Sequence, residues 1–331
     1  FMQVERMTEQ NQLIVAQTRL TEEQLRFEKE RQAVEISLSI ADRRQATARE
    51  IYAAITADPG RGETHGRKNL SRSTSLLISS TIAQLQPYRS VDPITGKVAD
   101  DAPVKSPEQE QILAYLSGMH IHVAELDLSR AFLDHADLHG VDLPEIQLPG
   151  VRLRAAALYD ANFSGGNFAL ADLTAAQLSR AELSRANFTD AKLVDAVLVD
   201  AVLSEANLVR ADLTRASLKK AVLKQAQLGS AKLHGVDFSH CDLGSADLTD
   251  ADLALADLSA VDRAPLVPKV RAAASWWLAV YSDDYAAKLG VSPEQNARNR
   301  EALARLRAAT TPDAVAAVIA EAKATAPKAP G

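Results

Sequence analysis

The side chains of this sequence that could do chemistry are its seven histidines, its single cysteine and a run of aspartates, and their spacing speaks against each use. Metal ligation needs three or four convergent nitrogen, sulfur or oxygen donors. His135 and His139, like His234 and His240, fall on outward positions with no clustered carboxylate or thiol, so they read as solvated surface residues. His120 and His122 stand where a helical segment gives way to repeats. Cys241 occupies a position filled almost everywhere else by alanine, which marks a small core residue rather than a nucleophile. Asp250 and Asp252 belong to a repeated surface pattern, so their spacing carries no acid–base signal. No phosphate-cradling glycine loop, nucleophile elbow or zinc-ligand run occurs. The expectation is a protein without catalytic residues, cofactor or metal.

Composition narrows the remaining classes. The net charge of −6 disfavours direct nucleic-acid binding, which needs a basic surface to neutralise phosphates. One cysteine excludes an internal disulfide framework and suits a reducing, cytoplasmic compartment. No apolar run approaches the roughly 18 residues that span a bilayer, and no leader precedes the first helix.

What positions these side chains is a repeat. From Leu128 to Leu258 every fifth residue is Leu or Phe, 27 units without a break, with Phe163, Phe168, Phe188 and Phe238 as the phenylalanines. Two residues before each centre sits a small residue, as at Ala171, Ala181, Ala191, Ala201, Ala211 and Ala231. Neither a 3.6-residue helix nor a two-residue strand keeps a five-residue apolar period on one face. A coil of short sides does, if each side spends one pentapeptide and turns a corner.

The run ADLTAAQLSRAELSRANFTDAKL and its continuation resemble the pentapeptide-repeat family, whose motif is Ala, Asp or Asn, Leu and two variable polar residues. The resemblance implies a mainly β solenoid: a right-handed quadrilateral β-helix with twenty residues per coil, about seven coils here. At the ~4.8 Å spacing of paired strands the rod would be about 30 Å long. The charges support that period independently. Arg152, Asp172, Lys192, Asp212, Lys232 and Asp252 are twenty apart and alternate in sign, as do Arg180, Asp200 and Lys220. Arg185 with Glu205, Asp190 with Arg210, and Asp195 with Arg215 repeat the alternation. Between Leu143 and Leu158, Pro144, Ile146, Pro149 and Val151 interrupt the motif and predict a distorted coil.

Two surface features depart from this polar pattern. Val194, Val197, Val199, Val202, Val209 and Val222 occupy positions that should face water, with Val202 and Val222 stacked, so they are candidates for a partner surface. Strand propensity alone explains exposed valines equally well. Arg215, Lys219, Lys220 and Lys224 form a candidate basic patch, and the segment after Lys232 is acidic, with Asp247, Asp250, Asp252 and Asp257 as the candidate acidic end.

The flanks read as helices. Residues 1–57 lack Pro and Gly and are rich in Glu, Gln and Arg, which predicts one long arm; Leu13, Leu20, Phe27 and Val34 recur every seven residues, but Glu23 and Glu30 make the seam a weak coiled coil. Residues 58–122 form a linker and N-terminal capping helices, including one from Ser106–Pro107 that brings Ile112, Leu113 and Leu116 over the first coil. Residues 123–262 are the β-helix. Residues 263–331 should hold C-terminal capping helices, the first carrying Trp276, Trp277, Tyr281 and Tyr285 as a plug, then helices from Ser292 and Thr311 and a disordered tail. The segment QNQLIVAQTRL leading to capping helices resembles bacterial pentapeptide-repeat proteins with transmembrane helices just upstream, which implies an inner-membrane anchor before Phe1.

The function expected on these grounds is a non-enzymatic scaffold that presents a rigid rod to a protein partner, with the arm forming homo-oligomers or attaching to a membrane. The alternative is a DNA-mimicking regulator of a type II topoisomerase such as gyrase, as the quinolone-resistance branch of the family implies.

Overall fold

In the computed structural model, which describes residues 2–85, 87–89, 103–129, 131–261 and 267–326, the five-residue period turns into a β-bridge every twenty residues. Four parallel ladders result. Wall 1 runs Phe132, Arg152, Asp172, Lys192, Asp212, Lys232, Asp252; wall 2 runs from Asp137 to Asp257; wall 3 from Asp142 to Asp242; wall 4 from Gln147 to Asp247. The chain forms a right-handed β-helix over these residues, with four corners per coil.

One unit explains the motif. The amide of Asp172 donates to Val151 O in the preceding coil (2.9 Å), and that of Leu173 to Lys192 O in the following one (2.7 Å). Thr174 N donates to Asp172 Oδ1 (3.1 Å). Ala175 N donates to Val194 O (2.8 Å), and Ala176 N closes the corner on Leu173 O (3.0 Å). All five backbone donors are thus satisfied, which a buried repeat requires. The Asp or Asn of the motif caps the corner as an Asx turn. The third turn residue adopts a positive φ, +59° at Ala175, the mark of a type II turn. The Leu or Phe centre and the inward residue two before it point into the rod, and from Ala131 to Leu258 every one of them, Gly166 included, is buried.

The segment from Leu143 to Leu158 is regular, contrary to the distortion that its sequence predicts: its bridges keep the twenty-residue register. Pro144 and Pro149 fall at the second turn position, where a φ near −60° is wanted, and Ile146 and Val151 fill inward positions. Gly166 compensates nearby, because a β-carbon there would stand 2.9 Å from Phe168 Cε2.

Helix α1 (Met2–Ala57) runs without Pro or Gly and packs its last turns, through Ala48, Ile51 and Ile55, on α2 (Arg72–Gln84) and α3 (Pro107–Gly118). Strands β1 (Glu63–Thr64) and β2 (Arg67–Lys68) form a hairpin whose Lys68 pairs in parallel with Ile121, and β3 (Tyr88–Arg89) pairs antiparallel with β4 (Val104–Lys105). Ile112, Leu113 and Leu116 join the rod's core. Ser106 precedes α3 as expected, but its hydroxyl does not cap the helix.

The segment after the rod departs further from expectation. Its aromatic residues do not share one helix: α4 (Val267–Ala272) is followed by a 3-10 turn (Trp276–Leu278) and by β6 (Val280–Tyr281). Strand β6 pairs in parallel with β5 (Asp257–Leu258), and Ala274 bridges Asp252, so this segment covers the last strand edges of walls 1 and 2 with backbone hydrogen bonds. Tyr281 is fully buried and donates its hydroxyl to Trp276 O (2.6 Å). Helices α5 (Asp283–Leu289), α6 (Pro293–Ala308) and α7 (Pro312–Ala324) follow; the C-terminal tail expected to be disordered lies outside the described residues from residue 327 on. Among the described residues, no helix is long and apolar enough to cross a membrane.

Candidate interaction surface

The rod sorts the sequence-predicted residues onto different walls. Val202 and Val222 do stack, paired in wall 3 between Glu182 and Asp242. Val197 lies in the wall 2 ladder between Gln177 and Ser217, while Val194, Val199 and Val209 sit at three different corners. The valines therefore form one two-residue strip and four separate sites, all only partly exposed. Arg215, Lys219, Lys220 and Lys224 likewise spread over three successive corners. Lys224 lies 3.5 Å from Asp242.

Charge pairing in the rod is selective. Arg210 clasps Asp190 with two hydrogen bonds (2.7 and 2.6 Å), and Arg215 clasps Asp195 in the same way (2.7 and 2.5 Å). Each pairing holds the guanidinium of the later coil against the carboxylate of the earlier one. Arg180 follows the same geometry but reaches back to Asp160 rather than forward to Asp200. Hydrogen bonds from these arginines hold the Asp160 and Asp190 carboxyls below their usual range. Lys232 lies 3.4 Å from Asp212, whereas Arg152 turns to Asp134 (2.5 Å) and stacks over Phe132.

The acidic end is partly occupied by the chain's own C-terminus. Asp252 receives Lys323 of α7 (2.5 Å) and His234 (2.8 Å), and Asp257 receives Arg307 of α6 (2.9 Å). Arg215 donates to the carbonyl of Ala309 between the two helices. Leu255, at a corner where polar residues are usual, is fully buried with Leu303, Leu306 and Val280. The α6–α7 hairpin therefore lies along the corner that follows wall 1. Sequence reasoning missed this contact; the signal was Gly235 and Leu255, twenty residues apart, replacing bulky polar corner residues. Asp247 and Asp250 remain exposed.

His234 is accordingly not the solvated residue its spacing suggests: its side chain is 12 % exposed and faces Asp252. His139 bonds Asp137 (2.6 Å) and stacks on Tyr159. His122 faces Glu145 (3.2 Å) at the edge of a cleft of about 590 Å³, which is also lined by His65, Arg67 and Arg185. Among the described residues no group of His, Cys, Asp and Glu is placed to hold a metal. Cys241 is buried, and burial pushes its thiol well above the usual range.

The pentapeptide repeats pattern matches in 8 copies across residues 152–190, 181–220, 196–235 and 231–262. The chain is also 30% identical to HetL, a pentapeptide repeat protein involved in heterocyst differentiation regulation in the cyanobacterium Nostoc sp. strain PCC 7120, over 39% of this chain and 70% of that one (TM-score 0.25). This chain belongs to the pentapeptide repeat family. A pentapeptide repeat protein of the Arabidopsis thaliana thylakoid lumen is 30% identical over 32% of this chain and 74% of that one (TM-score 0.31). QnrB1, a plasmid-mediated fluoroquinolone resistance protein, is 18% identical over 48% of this chain and 85% of that one (TM-score 0.36). At such scores the kinship of this pentapeptide repeat protein rests on the repeat rather than on superposition of whole chains. No curated protein matches it.

Proposed function

We propose that this pentapeptide repeat protein is a non-enzymatic scaffold: a rod of about seven coils, closed by helical caps, that presents its walls to a protein partner. The reading divides the chain into an arm (1–57), an N-terminal capping unit (58–122), the rod (123–262) and a C-terminal capping unit (263–331), working in the cytoplasm and held at the inner membrane by a segment upstream of Phe1. The observation that carries it is the in-register pairing of Val202 with Val222 on wall 3. It sets an apolar strip on a rigid surface, where a partner gains burial without ordering the rod. Val199, Lys219 and Lys220 at the corner before wall 3 and Lys224 at the corner after it would frame the footprint, with Val197 on the adjoining wall; Val194 and Arg215 lie across the rod, at the corner of the C-terminal hairpin. The arm adds a second contact, with a second copy or another protein. Affinity capture with the full chain, compared with Val202→Glu/Val222→Glu, tests this reading: the partner should be lost from the variant while its melting temperature stays unchanged. Equal capture by both removes wall 3 from the footprint.

A DNA-mimicking regulator of a type II topoisomerase is the second reading, favoured by the acidic end at Asp247, Asp250, Asp252 and Asp257. Mimicry wants an unbroken acidic face, and Lys323 and Arg307 neutralise two of these four carboxylates. In a gyrase supercoiling assay the protein should neither inhibit nor protect at micromolar concentration. Clear inhibition that is lost on changing the four aspartates to asparagine would reverse the ranking.

A further inference from the structure

Among the described side chains of helix α1, those buried lie in its last turns. Ala48 and Ile55 pack against the body, while Leu20 and Phe27 are 58% and 70% exposed. Leu20 and Phe27, one heptad apart, share one helical line, but at 100° per residue that line stands about 80° round the helix from Ala48 and Ile55, so the exposed seam is a face of its own, beside the one α1 uses against α3. Helix α3 has 12 residues, about 18 Å of length, and cannot follow α1 along its roughly 84 Å.

The flanks of the seam show what covers it. At 100° per residue, Glu23 borders the Leu20–Phe27 line on one side, with Glu30 on the same line by spacing, and Glu28 and Glu35 border it on the other. Glu23, Glu28 and Glu35 are all exposed, and Arg31, also exposed, stands within the seam itself. A parallel second copy would set Glu23 against Glu28, Glu30 against Glu35 and Arg31 against Arg31. An antiparallel copy centred on this stretch would set glutamate against glutamate along both edges. Either way the flanking pairs repel.

We propose that residues 20–35 seat a helix of another protein, one with an apolar stripe bordered by Lys or Arg on both sides and an acidic residue facing Arg31. This deepens the scaffold reading, on which it rests only in taking the arm as a contact element. The full chain is titrated by fluorescence anisotropy with two synthetic helices of about four heptads, identical in their leucine seam and carrying either Lys or Glu at both flanks. The Lys-flanked helix should bind at least about tenfold tighter, and this preference should invert in Glu23→Lys/Glu28→Lys/Glu35→Lys, whose exposed positions leave the rod's melting temperature unchanged. Light scattering should find the chain alone monomeric. Equal binding of the two helices, binding of neither, or a dimer that survives the triple substitution overturns the proposal. Because the readout is a helix on the arm, a rod wall without a partner leaves the result untouched.

Discussion

Leu306 of α6 lies so close to Gly235 that a β-carbon on this glycine would stand 2.5 Å from Leu306 Cδ2. Gly235 also has φ +65°, where a side chain is strained in any case. One coil further on, Leu255 completes the seat for Leu303 and Leu306. A corner of the rod has thus been cleared so that the C-terminal hairpin can lie against it.

Gly235→Val should therefore release the hairpin without melting the rod. A β-branched residue at positive φ and the clash with Leu306 together cost about 2–3 kcal/mol. The linker of Ala309, Thr310 and Thr311 should become a protease site while the β-structure signal persists. Undiminished resistance to proteolysis would show that the hairpin is held elsewhere.

Leu213→Asp should abolish folding of the rod. Leu213 is fully buried between Leu193 and Leu233, and an unpaired carboxylate in so narrow an apolar core costs several kcal/mol, about the stability of a whole domain. Circular dichroism on heating decides this. Retention of both the β signal and the melting temperature would refute the inward register of the leucines.

The rod was legible in the sequence because its constraint is local and repeated: each Leu centre, small inward residue and Asx cap obeys the same rule in every coil. The disruptive residues were misread because position matters more than type. Pro144 and Pro149 are breakers in general but suit the second residue of a turn. The C-terminal region resisted reading for the opposite reason. Tyr281 pairs as a strand with Leu258, and Leu306 seats on Gly235, contacts between distant segments that no local pattern announces. The valine patch dissolved because runs of neighbouring residues wrap around corners, and only the twenty-residue spacing of Val202 and Val222 brings side chains together.

Leu170→Gly should stabilise the protein. Leu170 stands at a corner with φ +62° and its side chain is 67% exposed, so it bears left-handed strain without recovering it through burial. Relief of that strain is worth about 1 kcal/mol, partly offset by the greater freedom of glycine in the unfolded chain. The denaturation midpoint should rise for Gly and fall for Leu170→Val. A lower midpoint for Gly would mean that the leucine makes a stabilising contact at this corner.

Acid should detach the C-terminal hairpin before it unfolds the rod. Burial alone would raise the carboxyl of Asp252, but hydrogen bonds from His234 and Lys323 outweigh it and hold the group well below the usual carboxylate range. A carboxyl whose folded value lies below its unfolded value of about 4 contributes its stability above that pH and loses it as pH falls toward the folded value. Protonating Asp252 removes the attraction that holds Lys323 of α7 against the rod. The apolar seat of Leu255 and Leu306 then holds α6 while α7, which has no fully buried residue, comes away first. Amide hydrogen exchange in α7 should therefore accelerate below about pH 4 while exchange in the ladders from Arg152 to Asp212 stays slow. In Asp252→Asn α7 should already exchange faster at neutral pH, and the acid limb should shrink to the share of Glu321, whose carboxyl the hydrogen bonds from Arg305 of α6 hold below its usual range. A wild-type α7 whose protection falls only together with that of the ladders would show that Asp252 does not pin the helix.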